Sequence, residues 1–187
     1  MKRTWIPLIA MLMPLAAAAQ HATTYAGQQD RAIKSLSAQE EKDLLAGQGM
    51  GLAKAAELNG YPGPAHVLEH GTALGLSAEQ RRATEALMQR HKARAREMGL
   101  GLVEAERRLD RAFAARIIDA QSLAELTADI GRRQAELRQE HLRTHLEQTA
   151  LLDERQVRRY NELRGYTGAA GAGHGGSHGH GHGGHQR

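Results

Sequence analysis

The 187-residue chain predicts an all-α fold, and three observations carry that prediction. Nowhere do apolar and polar residues alternate with the period of two that a half-buried strand requires. From Ala83 through Leu87, His91, Ala95, Met98, Leu102, Ala105 and Leu109 to Phe113, one face recurs at steps of three and four, the period of an amphipathic helix. Capping boxes led by Ser37, Ser77, Ser122 and Asp153 each place Glu or Gln three residues after a side chain that accepts a free backbone N–H.

Taken in order, residues 20–36 are polar and weakly patterned and are expected to form a flexible N-terminal arm. Ser37 and Glu40 cap a short helix to about Ala46, after which Gly47, Gly49 and Gly51 loosen the chain before Leu52–Leu58. Asn59-Gly60-Tyr61-Pro62-Gly63 is a turn signal. Pro64 suits the first helical position, so a short helix over Ala65–Ala73 is expected to present His66 and His70. Ser77 and Gln80 then open a helix that the periodic stripe takes to about Ala115. Gly99 and Gly101 weaken it by roughly 1 kcal/mol each relative to Ala and are candidate bend positions.

The pattern breaks at Arg116–Asp119. Ser122 and Glu125 are expected to cap a second long helix, on which Leu123, Leu126, Ile130, Leu137, His141 and Gln148 form one stripe. Leu142 and Leu146 lie on another face and call for a further packing partner, such as a second subunit. Asp153 and Gln156 cap a last short helix ended by Gly165. Residues 167–187 are Gly, Ala and His with too little apolar surface to offset chain entropy, the composition of a disordered tail.

The first 19 residues read as a cleaved secretory signal: Lys2 and Arg3, an apolar run from Trp5 to Leu15, then Ala17-Ala18-Ala19. The apolar run is short for a membrane span and is interrupted by Pro7 and Pro14. The chain has no cysteine, which excludes disulfides, thiolate metal sites and a lipidated cysteine anchor. The expected compartment is a bacterial periplasm. The formal charge of +4 falls to +2 without Lys2 and Arg3, and the remaining charges interleave along helix faces. With one Phe, one Trp and four Tyr, the chain lacks the basic patches and stacking platforms of a nucleic-acid binder. No nucleophile–base pair, phosphate loop or cofactor motif is present, so no enzyme activity is expected.

Leu76-Ser77-Ala78-Glu79-Gln80 and Leu152-Asp153-Glu154-Arg155-Gln156 resemble the LTxxQ signature of the Spy/CpxP-like periplasmic proteins, which include heavy-metal sensor and resistance proteins. Ser77 and Asp153 stand where that signature has threonine and are equally suited to N-capping. The resemblance spans residues 37–166 and implies a hooked four-helix hairpin, usually an intertwined homodimer. It also implies one of two activities: binding of a divalent transition metal, or ATP-independent binding of unfolded-protein clients. Signalling would need a partner in the membrane. The family's metal site does not transfer residue by residue. Its carboxylate position falls on Met88, and its last-helix positions fall near Thr144 and Gln148.

The candidate ligands are histidines. His141 and His145 are one helical turn apart, flanked by Glu140 and Glu147, and both imidazoles can reach one ion. Leu142 follows His141 where a zinc peptidase needs its catalytic Glu. A hairpin turn centred near residues 117–118 sets position 91 opposite about position 144. His91 would then join His141 and His145 as a third imidazole suited to Zn(II), Ni(II), Co(II) or Cu(II), with Glu140 or Glu147 behind it. His66 and His70 form a rival pair. Their H-x-x-E-H string lies on too short a helix, in too small a domain, for an inverted zincin. The tail histidines His174, His178, His180, His182 and His185 make a flexible chelator in a glycine matrix.

Overall fold

The structure is a computed structural model that describes residues 25–166. The signal segment, the first residues of the arm and the histidine-rich tail lie outside the described residues. Among the described residues every regular element is an α-helix: α1 Ala38–Ala46, α2 Lys54–Glu57, α3 Pro64–Glu69, α4 Ala78–Ala114, α5 Ala120–Ala150 and α6 Glu154–Leu163. No described helix is long and apolar enough to cross a membrane.

The boxes at Ser37, Ser77 and Asp153 form as read, with the side chain of the third helical residue reaching back to the N-cap N–H. The fourth does not. Asp119 caps α5 and accepts from the Ser122 N–H, while the Ser122 hydroxyl returns to the Asp119 N–H. A box led by Asp with Ser at its third helical position lies outside the Ser/Thr-x-x-Glu/Gln pattern, so the cap stands three residues before the expected one.

The two long helices pack antiparallel, Thr84 meeting Gln148, His91 meeting Thr144 and Arg108 meeting Asp129. The helix α4 is unbroken across Gly99 and Gly101. Gly99 serves close packing: a Cβ there would lie 2.1 Å from the Leu44 carbonyl oxygen, because the end of α1 lies directly on α4. The expected arm is docked over its last residues. Ile33 is 1% exposed in the core, the Ser35 hydroxyl donates to Glu106, and Lys34 pairs with Asp110.

Side chains in the interior form three zones. Ile33, Leu44, Ala95, Leu102, Val103, Ala105, Ile130 and Leu137 make an apolar cluster toward the interhelical turn. Val67, Leu74 and Tyr160, with Leu76, Leu152, Leu163 and Tyr166 against them, make a second cluster at the opposite end. Along α4 and α5 between them runs a buried polar belt: Thr84, His91, Glu140, His141, Thr144 and Gln148.

At that opposite end the two pentapeptides clasp each other. Each glutamine closes its own capping box through Oε1. The Gln80 amide donates to Gln156 Oε1 (2.8 Å) and to the Leu151 carbonyl, and the Gln156 amide donates to Gln80 Oε1 (3.0 Å) and to the Leu74 carbonyl.

Gly99→Ala should lower unfolding stability by about 1–3 kcal/mol through overpacking, whereas Gly131→Ala should raise it by about 0.5–1 kcal/mol, as read by urea denaturation. A Cβ at Gly131 meets nothing within 4 Å, so only the entropy effect remains there. In a double-mutant cycle, Gln80→Ala and Gln156→Ala should each destabilise, with the double variant falling short of their sum by about 1 kcal/mol.

Candidate metal centre

The belt opens on one side into a cavity of about 370 Å³. Its walls come from α4 and α5, the Gly47–Gly51 loop, and the segments around α2 and α3. His91 and His141 approach within it, ring centroids 4.6 Å apart and ring planes at 75°, as the hairpin count anticipated for position 91.

Neighbouring bonds decide the protonation of His91. Its Nδ1 lies 2.9 Å from Thr144 Oγ1 and 3.3 Å from Glu140 Oε1. The Thr144 hydroxyl donates to the Glu140 backbone carbonyl, and the Glu140 carboxylate can only accept. Nδ1 therefore bears the proton, and the lone pair sits on Nε2. This is the carboxylate–histidine arrangement that orients metal-ligating imidazoles. The Glu140 charge is in turn met by Arg143, with Arg94 at 3.9 Å.

His141 is 4% exposed, and its Nε2 is buried without a hydrogen-bond partner among the described residues. Such a group costs on the order of 1–3 kcal/mol unless a ligand satisfies it. Burial, chiefly, and then the neighbouring His91 push the His141 imidazole down to about 4. Burial likewise lowers His91, against the opposing pull of its bond to Glu140. Both rings are neutral at pH 7, the state in which imidazole binds metals.

His145 lines the same cavity on other terms. Its Nδ1 donates to the Tyr61 carbonyl at 2.8 Å and stands 3.7 Å from Glu57 Oε2. Gly63 seats the ring, since a Cβ there would come within 2.8 Å of its Cε1. Among the described residues no three His, Asp or Glu side chains gather around one point at metal-binding range. His91 and His141 stand together, while His145 is turned toward the α2–α3 connection. His66 reaches the cavity from α3, bonded to Glu69 at 3.0 Å, whereas His70 caps that helix and is not among the lining residues. Their pair is divided. Of the two flanking carboxylates, Glu140 lies against His91 Nδ1, and Glu147 pairs with Arg90 and Arg143 outside the cavity lining. His174, His178, His180, His182 and His185 lie outside the described residues.

Two contributors, Thr144 and Glu57, were not legible as such in the sequence, whereas Met50 is legible there as a thioether that could equally be core filler. Thr144 orients His91, and only the register of α4 on α5 reveals it. Glu57 holds Tyr160, Tyr166 and Arg164 through Oε1 and so fastens α6 beside the cavity. Met50 reaches the cavity from a loop position held at φ 45°, where glycine would be expected.

No protein-family model, curated protein or solved structure significantly matches this chain.

The depressed pKa of His141 makes folding stability depend on pH. The unfolded state binds the extra proton first, so stability is complete above about 6.5, falls as pH drops below that value, and levels off near 4. His141→Gln should flatten this limb by up to about 3 kcal/mol in urea titrations from pH 7.5 to 4.

Proposed function

We propose that this chain is a periplasmic protein that binds a transition-metal ion, in buffering or sensing that confers metal resistance or reports envelope stress. The ions in range are Zn, Ni, Co and Cu, taken as divalent. One observation carries the reading: the partnerless buried Nε2 of His141 stands beside the neutral, carboxylate-oriented His91 in an open cavity. His145 and His66 on the same walls are accessory donors, and the tail histidines a separate chelator that weakens at acid pH. The hooked-hairpin, intertwined-homodimer arrangement belongs to the same proposal. It is supported by the clasped pentapeptides and by Leu146, 56% exposed on the face of α5 that calls for a partner.

A second reading has its own support. Leu100, Phe113, Ile117 and Leu123 are exposed along the distal half of the α4–α5 pair, a surface on which an ATP-independent chaperone or stress adaptor could hold unfolded clients.

Calorimetric titration separates the two. The full chain should bind at least one of the four metals tighter than about 10 μM at a site missing from the His91→Gln/His141→Gln variant. Equal binding by both proteins would overturn the folded site. Suppression of client aggregation, abolished by Phe113→Ser/Ile117→Ser and indifferent to metal, would favour the chaperone.

A further inference from the structure

We infer that the folded site selects a soft monovalent ion, Cu(I), held by the imidazoles of His91 and His141 and the thioether of Met88, with Met50 as the closing donor. The inference rests on the metal-binding reading above and departs from it only in the charge of the ion, holding copper as Cu(I) rather than as a dication.

Met88 and His91 are three residues apart on α4, hence on one face of the helix, and both line the cavity with His141. Met50 enters from the Gly47–Gly51 loop that crosses the same cavity. Neutral imidazole and thioether are soft to intermediate donors, and thioether favours Cu(I) over the divalent ions of its row. A zinc site wants four ligands in a tetrahedron, commonly including thiolate or carboxylate. Among the described residues no group of three His, Asp or Glu is assembled here. A d10 monovalent ion is satisfied by linear or trigonal coordination, which two imidazoles and one thioether provide.

Charge argues the same way. The ionisable residues on the cavity wall other than histidine are Lys54, Lys92 and Glu57. Two cations against one carboxylate leave the wall positive, which opposes a dication about twice as strongly as a monocation. Glu140 does not redress this at the metal, because it is engaged with His91 Nδ1 and Arg143.

Backbone strain is the third support. Met50 is a non-glycine residue in the left-handed region, flanked by Gly49 and Gly51. A long unbranched side chain there costs on the order of 1 kcal/mol relative to glycine, and a residue kept under strain at a cavity wall is a candidate for a direct role.

The test is anaerobic competition of the full chain against a chromophoric Cu(I) chelator, run beside Zn(II), Ni(II) and Co(II) titrations. His91→Gln/His141→Gln serves as the reference that subtracts the tail. Cu(I) should bind the site at least about 100-fold tighter than any divalent ion, and Met88→Leu should cost about 10-fold or more for Cu(I) while leaving Zn(II) within about 2-fold. X-ray absorption of the loaded wild-type chain should show a sulfur scatterer, a readout independent of how any variant folds. A divalent ion bound as tightly at the same site, or a coordination shell without sulfur, would overturn the Cu(I) inference and leave the metal site standing. No difference between wild type and the double histidine variant for any metal would overturn both.

Discussion

The reciprocal bond between Gln80 and Gln156 governs where everything else on the long helices falls. Each side chain makes a local bond that starts its own helix and a long-range bond to the other glutamine and to the carbonyl at a preceding helix or turn end. The N-termini of α4 and α6 are thereby tied to the C-terminus of α5. At the far end the short turn 115–119 joins α4 to α5. Two helices pinned at both ends cannot slide by a turn. His91 stands opposite Thr144 and beside His141 because this axial register is imposed from outside the site.

Between the two apolar clusters, the polar belt is a local cost. Replacing buried Leu by Thr, His, Glu and Gln gives up apolar transfer energy at each position and leaves His141 Nε2 unsatisfied. The apolar zones on either side, and the approach of α1 permitted by Gly99, stabilise the pair of helices around it. A structural optimum would fill the belt with aliphatic side chains. Its composition instead keeps two imidazoles neutral, orients one through Glu140 and Thr144, and opens them to a cavity.

Much of this could be read from residue order alone. The helix class, three of four caps and the start of α4 follow from i,i+3 spacing, and such short-range rules need no knowledge of packing. The opposition of positions 91 and 144 also followed, because a short turn between two straight helices makes register a matter of counting. The Asp119 cap was hidden because Ser122 fits two roles, N-cap and third helical residue, and only backbone conformation distinguishes them. Gly99 illustrates the same limit: its local propensity suggests weakness, whereas its function is steric and depends on Leu44, fifty-five residues away.

The sequence by itself determined the helical class, the approach of His91 to His141 and the cysteine-free donor chemistry on offer. Tertiary structure alone decided which donors share a space. It turned His145 toward the Tyr61 carbonyl, parted His66 from His70, brought Met88 and Met50 to one cavity and set Glu57 against Tyr160. The reason is physical: helix periodicity specifies which face a side chain is on, but a ligand set is a property of three-dimensional convergence. Loops such as Gly47–Gly51 and the Tyr61–Gly63 turn have no period from which their position over α5 could be counted.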